Sequence, residues 1–393
     1  MALSRRSFVR SLGAGSAGAL ALSWVGARGR EGSAPGDARL RRAGGGSALA
    51  AVHAQPIRLD SNENPYGPGP AAFEAIDNAF DIVSRYPDAP EEHLQETVTR
   101  WHGVPAGSVL MGCGSTEILR MAVREFTSPG RALVTAAPSF EDPMREAERL
   151  GAPVTAVPVD SALRLDLAGI ADRSAGAGLI YLCNPNNPTG TLHPEAAIKE
   201  FVERALERSP ATTILIDEAY YEYVEDPAYA TSIPLAMKNP QVIVSRTFSK
   251  VFGLAGLRVG YAVGREGTLE PMRRHKLESG VNALGAAAAM AVLNRKDQVA
   301  GQRRLNHDAR SFTKGWFESA GYKVVPSETN FMMVDLRIDP RSFRDACRKL
   351  DVWVGRPFPP LATHARISIG TMDEMRRAVE IFGQVLKVGT GRT

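Results

Sequence analysis

Short apolar runs alternate with helical patterns along most of this chain, and this alternation restricts the fold more than any other feature. Four of the runs are Leu133–Ala136, Leu179–Leu182, Thr213–Ile216 and Val242–Val244. Strands separated by helices form a mostly parallel sheet that helices cover on both faces. The roughly 340 residues from Gln55 onward are enough for two domains with their own cores. The predicted fold class is therefore α/β, with a large domain and a smaller αβ domain.

The same pattern divides the chain into four segments. Residues 1–54 form a leader without hydrophobic period, and residues 55–85 form an N-terminal arm rich in proline, glycine and asparagine. Residues 86–268 carry the strand–helix alternation of the large domain. Residues 269–393 begin with a long helical pattern and end with a separate αβ unit, which we interpret as the smaller domain.

The leader resembles an export signal followed by a linker. Residues Ser4–Arg10 read S-R-R-S-F-V-R, and a weakly apolar run follows from Leu12 to Val25. Paired arginines before such a run are typical of a twin-arginine signal, and the run is too short and glycine-rich for a stable membrane span. Residues Gly26–Ala54 indicate a disordered linker. We expect export to the periplasm or cell envelope; a basic N-terminus of a cytoplasmic enzyme is the alternative.

The leader also accounts for the basic charge of the chain. It holds eight arginines and two acidic residues, a net charge of +6, whereas the whole chain carries +4, so residues 55–393 carry −2. A nucleic-acid-binding surface is therefore not indicated. Cys113, Cys183 and Cys347 are too few and too scattered for a disulfide framework or a zinc site, and we expect no metal.

One lysine is the strongest candidate for chemistry. The stretch Ser245–Tyr261 reads S-R-T-F-S-K-V-F-G-L-A-G-L-R-V-G-Y. Hydroxyls at Thr247 and Ser249 and a second cation favour the neutral amine of Lys250, the form that makes a Schiff base with an aldehyde. Arg258 offers a planar fork that suits a phosphate. An aldehyde that carries a phosphate is pyridoxal 5'-phosphate (PLP).

Two strand ends carry side chains that suit a pyridoxal ring. Asp217 ends the strand of I-L-I-D-E-A-Y-Y, where its carboxylate can pair with the ring nitrogen and keep the ring an electron sink. Tyr220, three residues on, can donate to the phenolic oxygen. Asn187, in Y-L-C-N-P-N-N-P-T-G, suits the same oxygen and follows another strand, at the edge where open α/β sheets bind ligands.

Four further residues have chemistry that suits a phosphate, a ring or a carboxylate. Ser115 and Thr116 follow glycines at the start of a predicted helix, which favours an anion site. Phe140 follows a strand and can cover one face of a planar ring. Arg366 begins an alternating strand, and its guanidinium can bind a carboxylate with two parallel hydrogen bonds.

Taken together, these motifs resemble the class I/II aminotransferases of PLP fold type I. N-P-T-G, D-E-A-Y, S-K-(x)7-R and R-I-S-I-G occur in that order across nearly all of residues 57–385. Within that class the N-E-N-P-Y-G arm, R-Y-P-D, N-P-N-N-P-T-G and S-E-T-N-F are most similar to histidinol-phosphate aminotransferases. The resemblance implies a homodimer with sites at the interface, acting on amino-acid and 2-oxo-acid substrates.

The resemblance also implies residue roles. Lys250 would form the internal aldimine and carry the proton, with Asp217 on the ring nitrogen and Asn187 and Tyr220 on the phenolic oxygen. The phosphate ligands would be Ser115, Thr116, Thr247 or Ser249, Arg258, and Tyr86 from a neighbouring subunit. Phe140 would stack on the ring. The substrate would be bound by Arg366 at its α-carboxylate, by Arg356 at its distal end, and by Asn64 and Tyr66 of the arm.

The substrate stays open at this point. The tyrosine-containing segment that the histidinol-phosphate family usually has before the arm is replaced here by the leader, and an exported enzyme would be separated from cytosolic histidine synthesis. Aromatic or other amino acids are therefore alternatives to histidinol phosphate. A PLP-dependent decarboxylase of the same fold and an exported non-catalytic binding protein are alternatives to an aminotransferase.

Overall fold

The computed structural model describes residues 55–387, so the predicted export signal and linker lie outside the described residues. The strands are β1 (Ile57–Leu59), β2 (Val109–Cys113), β3 (Leu133–Ala137), β4 (Val154–Pro158), β5 (Leu179–Cys183), β6 (Thr213–Asp217), β7 (Val242–Thr247), β8 (Val259–Gly264), β9 (Lys323–Val324), β10 (Phe331–Asp335), β11 (Val352–Val354) and β12 (His364–Ser368).

The helices follow the alternation that the sequence predicts. They are α1 (Pro70–Asn78), α2 (Asp88–His102), α3 (Ser115–Phe126), α4 (Asp142–Arg149), α5 (Leu167–Asp172), α6 (Glu195–Arg208), α7 (Ile233–Lys238), α8 (Glu266–Leu269), α9 (Ala283–Leu293), α10 (Lys296–Ser319), α11 (Pro340–Arg348) and α12 (Met372–Leu386). None of the helices within residues 55–387 combines the length and the apolar character needed to cross a membrane.

A seven-stranded sheet forms the centre of the molecule. Its strand order is β2-β8-β7-β6-β5-β3-β4. The pairs from β4 through β7 are parallel, whereas β8 runs antiparallel to both β7 and β2. Strand β6 is buried along its whole length, as its apolar sequence T-I-L-I-D requires for a central strand. Strand β2 therefore runs in the same direction as β3 to β7, and the carboxyl ends of these six strands lie at one edge, which places the residues that follow them together.

A second core lies around a three-stranded antiparallel sheet of order β12-β10-β9. The arm belongs partly to this core, because β1 pairs in parallel with β11 and buries Ile57 and Leu59. Helix α12 begins with a capping box in which Thr371 accepts from the backbone of Glu374, and it packs its apolar face here.

The helix after the predicted boundary at residue 269 packs with the large sheet. Helix α9 has the sequence A-L-G-A-A-A-A-M-A-V-L, and its buried residues Ala286, Ala289 and Val292 belong to the core of the seven-stranded sheet. A helix that is apolar on every side needs partners on every side, and α9 contacts the arm helix α1, helix α2 and strand β8. The second core takes its residues from β1 and from Ala309 onward.

Candidate active site

A cavity of about 840 Å³ opens at the carboxyl edge of the seven-stranded sheet. Its inner part, here called the floor, is built from the strand ends and the loops that follow them. Its outer part, here called the rim, is built from the start of α4 and the segment between α11 and β12, whereas Arg366 of β12 belongs to the floor. The predicted residues that line it are Ser115, Thr116, Phe140, Asn187, Asp217, Tyr220, Thr247, Ser249, Lys250, Arg258, Arg356 and Arg366.

Asp217 lies at the centre of the floor, where β6 ends. Asp217 is only 3% exposed, and the Tyr181 hydroxyl donates to its Oδ2 over 3.0 Å. Burial raises the pKa of the Asp217 carboxyl to about 6, while the hydrogen bond from Tyr181 and the charge of Lys250 oppose that shift. Oδ1 is buried and has no partner among the described residues. A carboxylate in this state attracts a protonated ring nitrogen.

Lys250 follows β7, and its amine is poised for deprotonation. Nζ donates to the backbone oxygen of Asn62 over 3.1 Å and lies 5.5 Å from the centre of the Tyr220 ring. Burial, followed by the positive charge of Arg366, lowers the pKa of Lys250 to about 8. About a tenth of the amine is therefore neutral at pH 7, far more than for an ordinary lysine, and the neutral form is the one that nucleophilic and general-base chemistry requires.

A chain of hydrogen bonds joins the arm to the floor. Asn62 donates from Nδ2 to the Tyr220 hydroxyl over 3.1 Å, and its Oδ1 accepts from Ser368 over 2.8 Å. Arg366 donates to Asn187 Oδ1 over 2.8 Å and to the backbone oxygen of Asp60 over 2.6 Å. The oxygen of the Asn187 side chain accepts from Arg366, and the amide nitrogen of Asn187 can donate to a ligand in the cavity.

The phosphate side of the floor is the amino end of α3. Gly114 has φ +75°, and a Cβ there would lie 2.3 Å from Nη2 of Arg258; a Cβ at Gly260 would lie 2.2 Å from the Ser115 backbone nitrogen. Arg258 itself has φ +54°, a conformation that costs a non-glycine residue free energy. Glycine therefore lets the guanidinium approach the first N–H groups of the helix, and Ser249 accepts from Arg258 over 3.4 Å.

Comparisons with known proteins identify the family of this chain. The family model described as aminotransferase class I and II matches residues 54–382. The histidinol-phosphate aminotransferase of Symbiobacterium thermophilum is 36% identical over 336 residues, which is 85% of this chain and 91% of the relative. The chain belongs to the class I and II aminotransferases.

Solved structures agree with this assignment. A putative histidinol-phosphate aminotransferase from Erwinia carotovora atroseptica superposes with a TM-score of 0.81 at 31% identity, covering 84% of this chain and 96% of that one. The Sinorhizobium meliloti histidinol-phosphate aminotransferase in complex with pyridoxal-5'-phosphate gives 0.80 at 28% identity, with 85% and 91% covered. The predicted class, fold type I and aminotransferase activity are confirmed, in preference to a decarboxylase or a non-catalytic binding protein.

PLP is the cofactor of this aminotransferase, and the floor fits it. The unpartnered Oδ1 of Asp217 suits the ring nitrogen, and the Lys250 amine suits the aldehyde. The glycine-lined approach of Arg258 to the start of α3 suits the phosphate. These three features are on different elements, and each matches a different part of the same molecule.

Three predicted residues of the aminotransferase do not line the cavity. Asn64 donates from Nδ2 to the backbone oxygen of Val251 over 2.8 Å, and its Oδ1 accepts from the Tyr66 backbone nitrogen over 3.0 Å. Both residues hold the turn of the arm, outside this cavity of their own chain, and their role in binding substrate stays a prediction. Tyr86 is 84% exposed, outside the cavity of its own chain; its role in a neighbouring subunit stays a prediction.

Sequence reasoning also missed three residues of the aminotransferase site. Asn62 binds Lys250 through its backbone, for which no sequence signal exists. Tyr181 had a usable signal, because a hydroxyl in a fully buried strand must find a partner. Glu141 lies at the start of α4 and pairs with Arg356 over 2.7 Å across the rim, a contact between segments far apart in sequence.

Proposed function

We propose that this aminotransferase exchanges the amino group of a donor that carries an anionic group near the reacting carbon, with histidinol phosphate as the first candidate, for the oxo group of a 2-oxo acid. Arg366 carries this proposal. Its guanidinium is buried, its two hydrogen bonds go to neutral oxygens, and its Nε has no partner among the described residues. A buried cation in this state requires an anion to complete it.

Burial lowers the pKa of Arg366 to about 10. The guanidinium is still charged at neutral pH, and a bound carboxylate or phosphate would restore the stabilisation that burial removes. Since Arg366 and Lys250 line the same cavity, an anion on Arg366 would hold the substrate's amine and α-carbon in the cavity that contains the Lys250 amine.

The residues of the floor then divide the work. PLP, when bound, supplies the electron sink that acidifies the α-hydrogen of the substrate. The neutral Nζ of Lys250 takes the proton from the α-carbon and returns it, and Asp217, ionised above a pKa of about 6, holds positive charge at the ring nitrogen. Asn187 and Tyr220 orient the ring from the side of its phenolic oxygen.

Histidinol phosphate is the first candidate donor because the relatives named above carry that name. A screen of donors with 2-oxoglutarate as the acceptor tests this choice: histidinol phosphate, phenylalanine and tyrosine, with product identification. We expect turnover of histidinol phosphate with the highest kcat/KM. Turnover confined to phenylalanine and tyrosine would favour the alternative donors, the aromatic amino acids, over histidinol phosphate. No transfer from any donor would contradict the proposal.

We also propose that the aminotransferase forms a homodimer through the face around α1. Apolar side chains exposed there are Phe73, Phe80, Ile82, Val83 and Tyr86. Exposed apolar side chains concentrated in one short stretch of chain favour association, and in the proposed dimer a second copy would bring its own Tyr86 toward the phosphate side of the cavity. Light scattering should give the mass of two chains, and Val83→Glu should shift it toward one chain. A wild-type monomer would contradict this.

Export is the third proposal, and it depends on residues outside the described part of the chain. The paired arginines Arg5 and Arg6 support it. Replacing both with lysine should retain the protein in the cytoplasm, as measured by cell fractionation. An unchanged distribution would favour the cytoplasmic alternative.

A further inference from the structure

The rim contains a pair of opposite charges from two segments that lie beside different cores. Glu141 precedes α4, beside the large sheet, and its Oε1 lies 2.7 Å from Nη2 of Arg356, which follows β11. The other carboxylate oxygen of Glu141 pairs with Arg145. The two partners are 26% and 46% exposed, so water screens their attraction and the pair is weak enough to be exchanged.

Arg356 lies next to the anion-binding residue of the floor. The guanidinium carbon of Arg356 lies 4.3 Å from the centre of the Phe358 ring, and that of Arg366 lies 4.8 Å from the same centre. The positive charge of Arg356 contributes to lowering the pKa of Arg366. Both guanidinium groups therefore lie near one ring, and both side chains line the same cavity, so we take a dicarboxylate to be the ligand class that can contact the two together.

We propose that Glu141 and Arg356 together form a distal subsite that selects the substrate by exchange. A distal carboxylate replaces Glu141 on Arg356, whereas a distal N–H donor such as an imidazole binds the Glu141 carboxylate and leaves the pair closed. The inference rests on the proposed function, because it assumes that Arg366 binds the anionic group nearest the reacting carbon. It explains how one cavity accepts both an imidazole-bearing donor and a dicarboxylic 2-oxo acid.

Three inert ligands separate the two halves of the subsite. Glutarate, 3-phenylpropionate and 3-(imidazol-4-yl)propionate share a carboxylate for Arg366 and differ at the distal end. Their dissociation constants are measured on the PLP-loaded enzyme by calorimetry. Glu141→Gln is expected to tighten glutarate by about two- to fivefold, weaken the imidazole compound by a similar factor and leave 3-phenylpropionate unchanged.

Asp142→Asn is the matched control. Asp142 is the next residue along the chain and loses the same charge, but its ion pair is with Arg120 at 3.8 Å rather than with Arg356. It should leave the ratio of the three dissociation constants unchanged. In an Arg356→Gln background, Glu141→Gln should no longer tighten glutarate, because there is no guanidinium for the ligand to take over.

Opposite effects on glutarate and the imidazole compound would support the exchange. Equal effects of Glu141→Gln on all three ligands, or the same pattern with Asp142→Asn, would overturn it in favour of a general charge effect. Binding of glutarate with no response to either variant would overturn this inference alone. Failure of the wild-type enzyme to bind glutarate would overturn this inference and the proposed anion-binding role of Arg366 together.

Discussion

The floor and the rim of the cavity differ in how much water reaches their charged side chains. On the floor, Asp217 and Lys250 are held by buried strand ends, and burial moves both pKa values toward neutrality. On the rim, Glu141 and Arg356 are part exposed and lie on connecting segments. A desolvated group gains reactivity from a small number of fixed partners, whereas a hydrated pair can exchange partners at little cost. We infer from this difference that residues of the floor carry out the chemistry and that residues of the rim determine which substrate is bound.

Removing the Lys250 amine should have the largest effect on activity of any substitution on the floor or the rim. In Lys250→Ala no side chain can bind the aldehyde or carry the proton, so kcat should fall by about 10⁴-fold or more. The visible absorbance of the lysine-bound cofactor should disappear as well. Steady-state kinetics and an absorbance spectrum measure the two effects. A variant that kept full activity would contradict the catalytic role of Lys250.

Asp217→Asn should have the next largest effect. The isosteric amide cannot hold a positive charge on the ring nitrogen, and we expect the proton-transfer step to slow by about a hundredfold to a thousandfold with PLP still bound. A single-turnover measurement with donor alone follows that step. An unchanged rate would contradict the role of Asp217.

The same substitution should stabilise the protein stripped of cofactor. The folded pKa of Asp217 is about 6 and its ordinary value is 3.8, so the folded state binds more protons in this window and loses stability as the pH rises from about 4 to 6. Above pH 6, Asp217→Asn should gain about 2 to 3 kcal/mol in the free energy of unfolding. At pH 4 it should gain nothing, as urea denaturation at both pH values would show; an equal gain at both would refute the burial argument.

Tyr181→Phe should produce a smaller change in the pH profile. The lost hydrogen bond opposes the raised pKa of Asp217, so the acid limb of kcat/KM should move to higher pH, with a loss of about tenfold below it. Tyr261→Phe is the control, since Tyr261 is also buried but bonds His102 over 2.9 Å. Both variants should lose stability, and only Tyr181→Phe should shift the limb.

Substitution at the rim should change binding and leave the chemistry intact. Arg356→Gln should raise KM for 2-oxoglutarate by about three- to tenfold while kcat changes little, because the guanidinium contacts only the distal carboxylate. The KM for a 2-oxo acid with an apolar side chain should stay the same. A fall in kcat as large as the rise in KM would show that Arg356 acts in the chemical step as well as in binding.

The same contrast explains what sequence reasoning could predict. Asp217 ends a strand, Asn187 and Lys250 closely follow strand ends, and each lies within a local motif that the parallel sheet brings to one edge. The partners of those residues could not be read locally, since Asn62 contributes a backbone oxygen from the arm. The arm residues Asn64 and Tyr66 stabilise a turn, and the rim is assembled from segments that only the folded chain brings together.

Borohydride reduction of the PLP-loaded enzyme, followed by peptide mass spectrometry, shows directly which residue binds the cofactor. Reduction fixes the cofactor on the amine that holds it, and we expect the added mass on the peptide that contains Lys250 and on no other. Attachment to a different lysine, or no attachment in an enzyme that transfers amino groups, would contradict the role of Lys250.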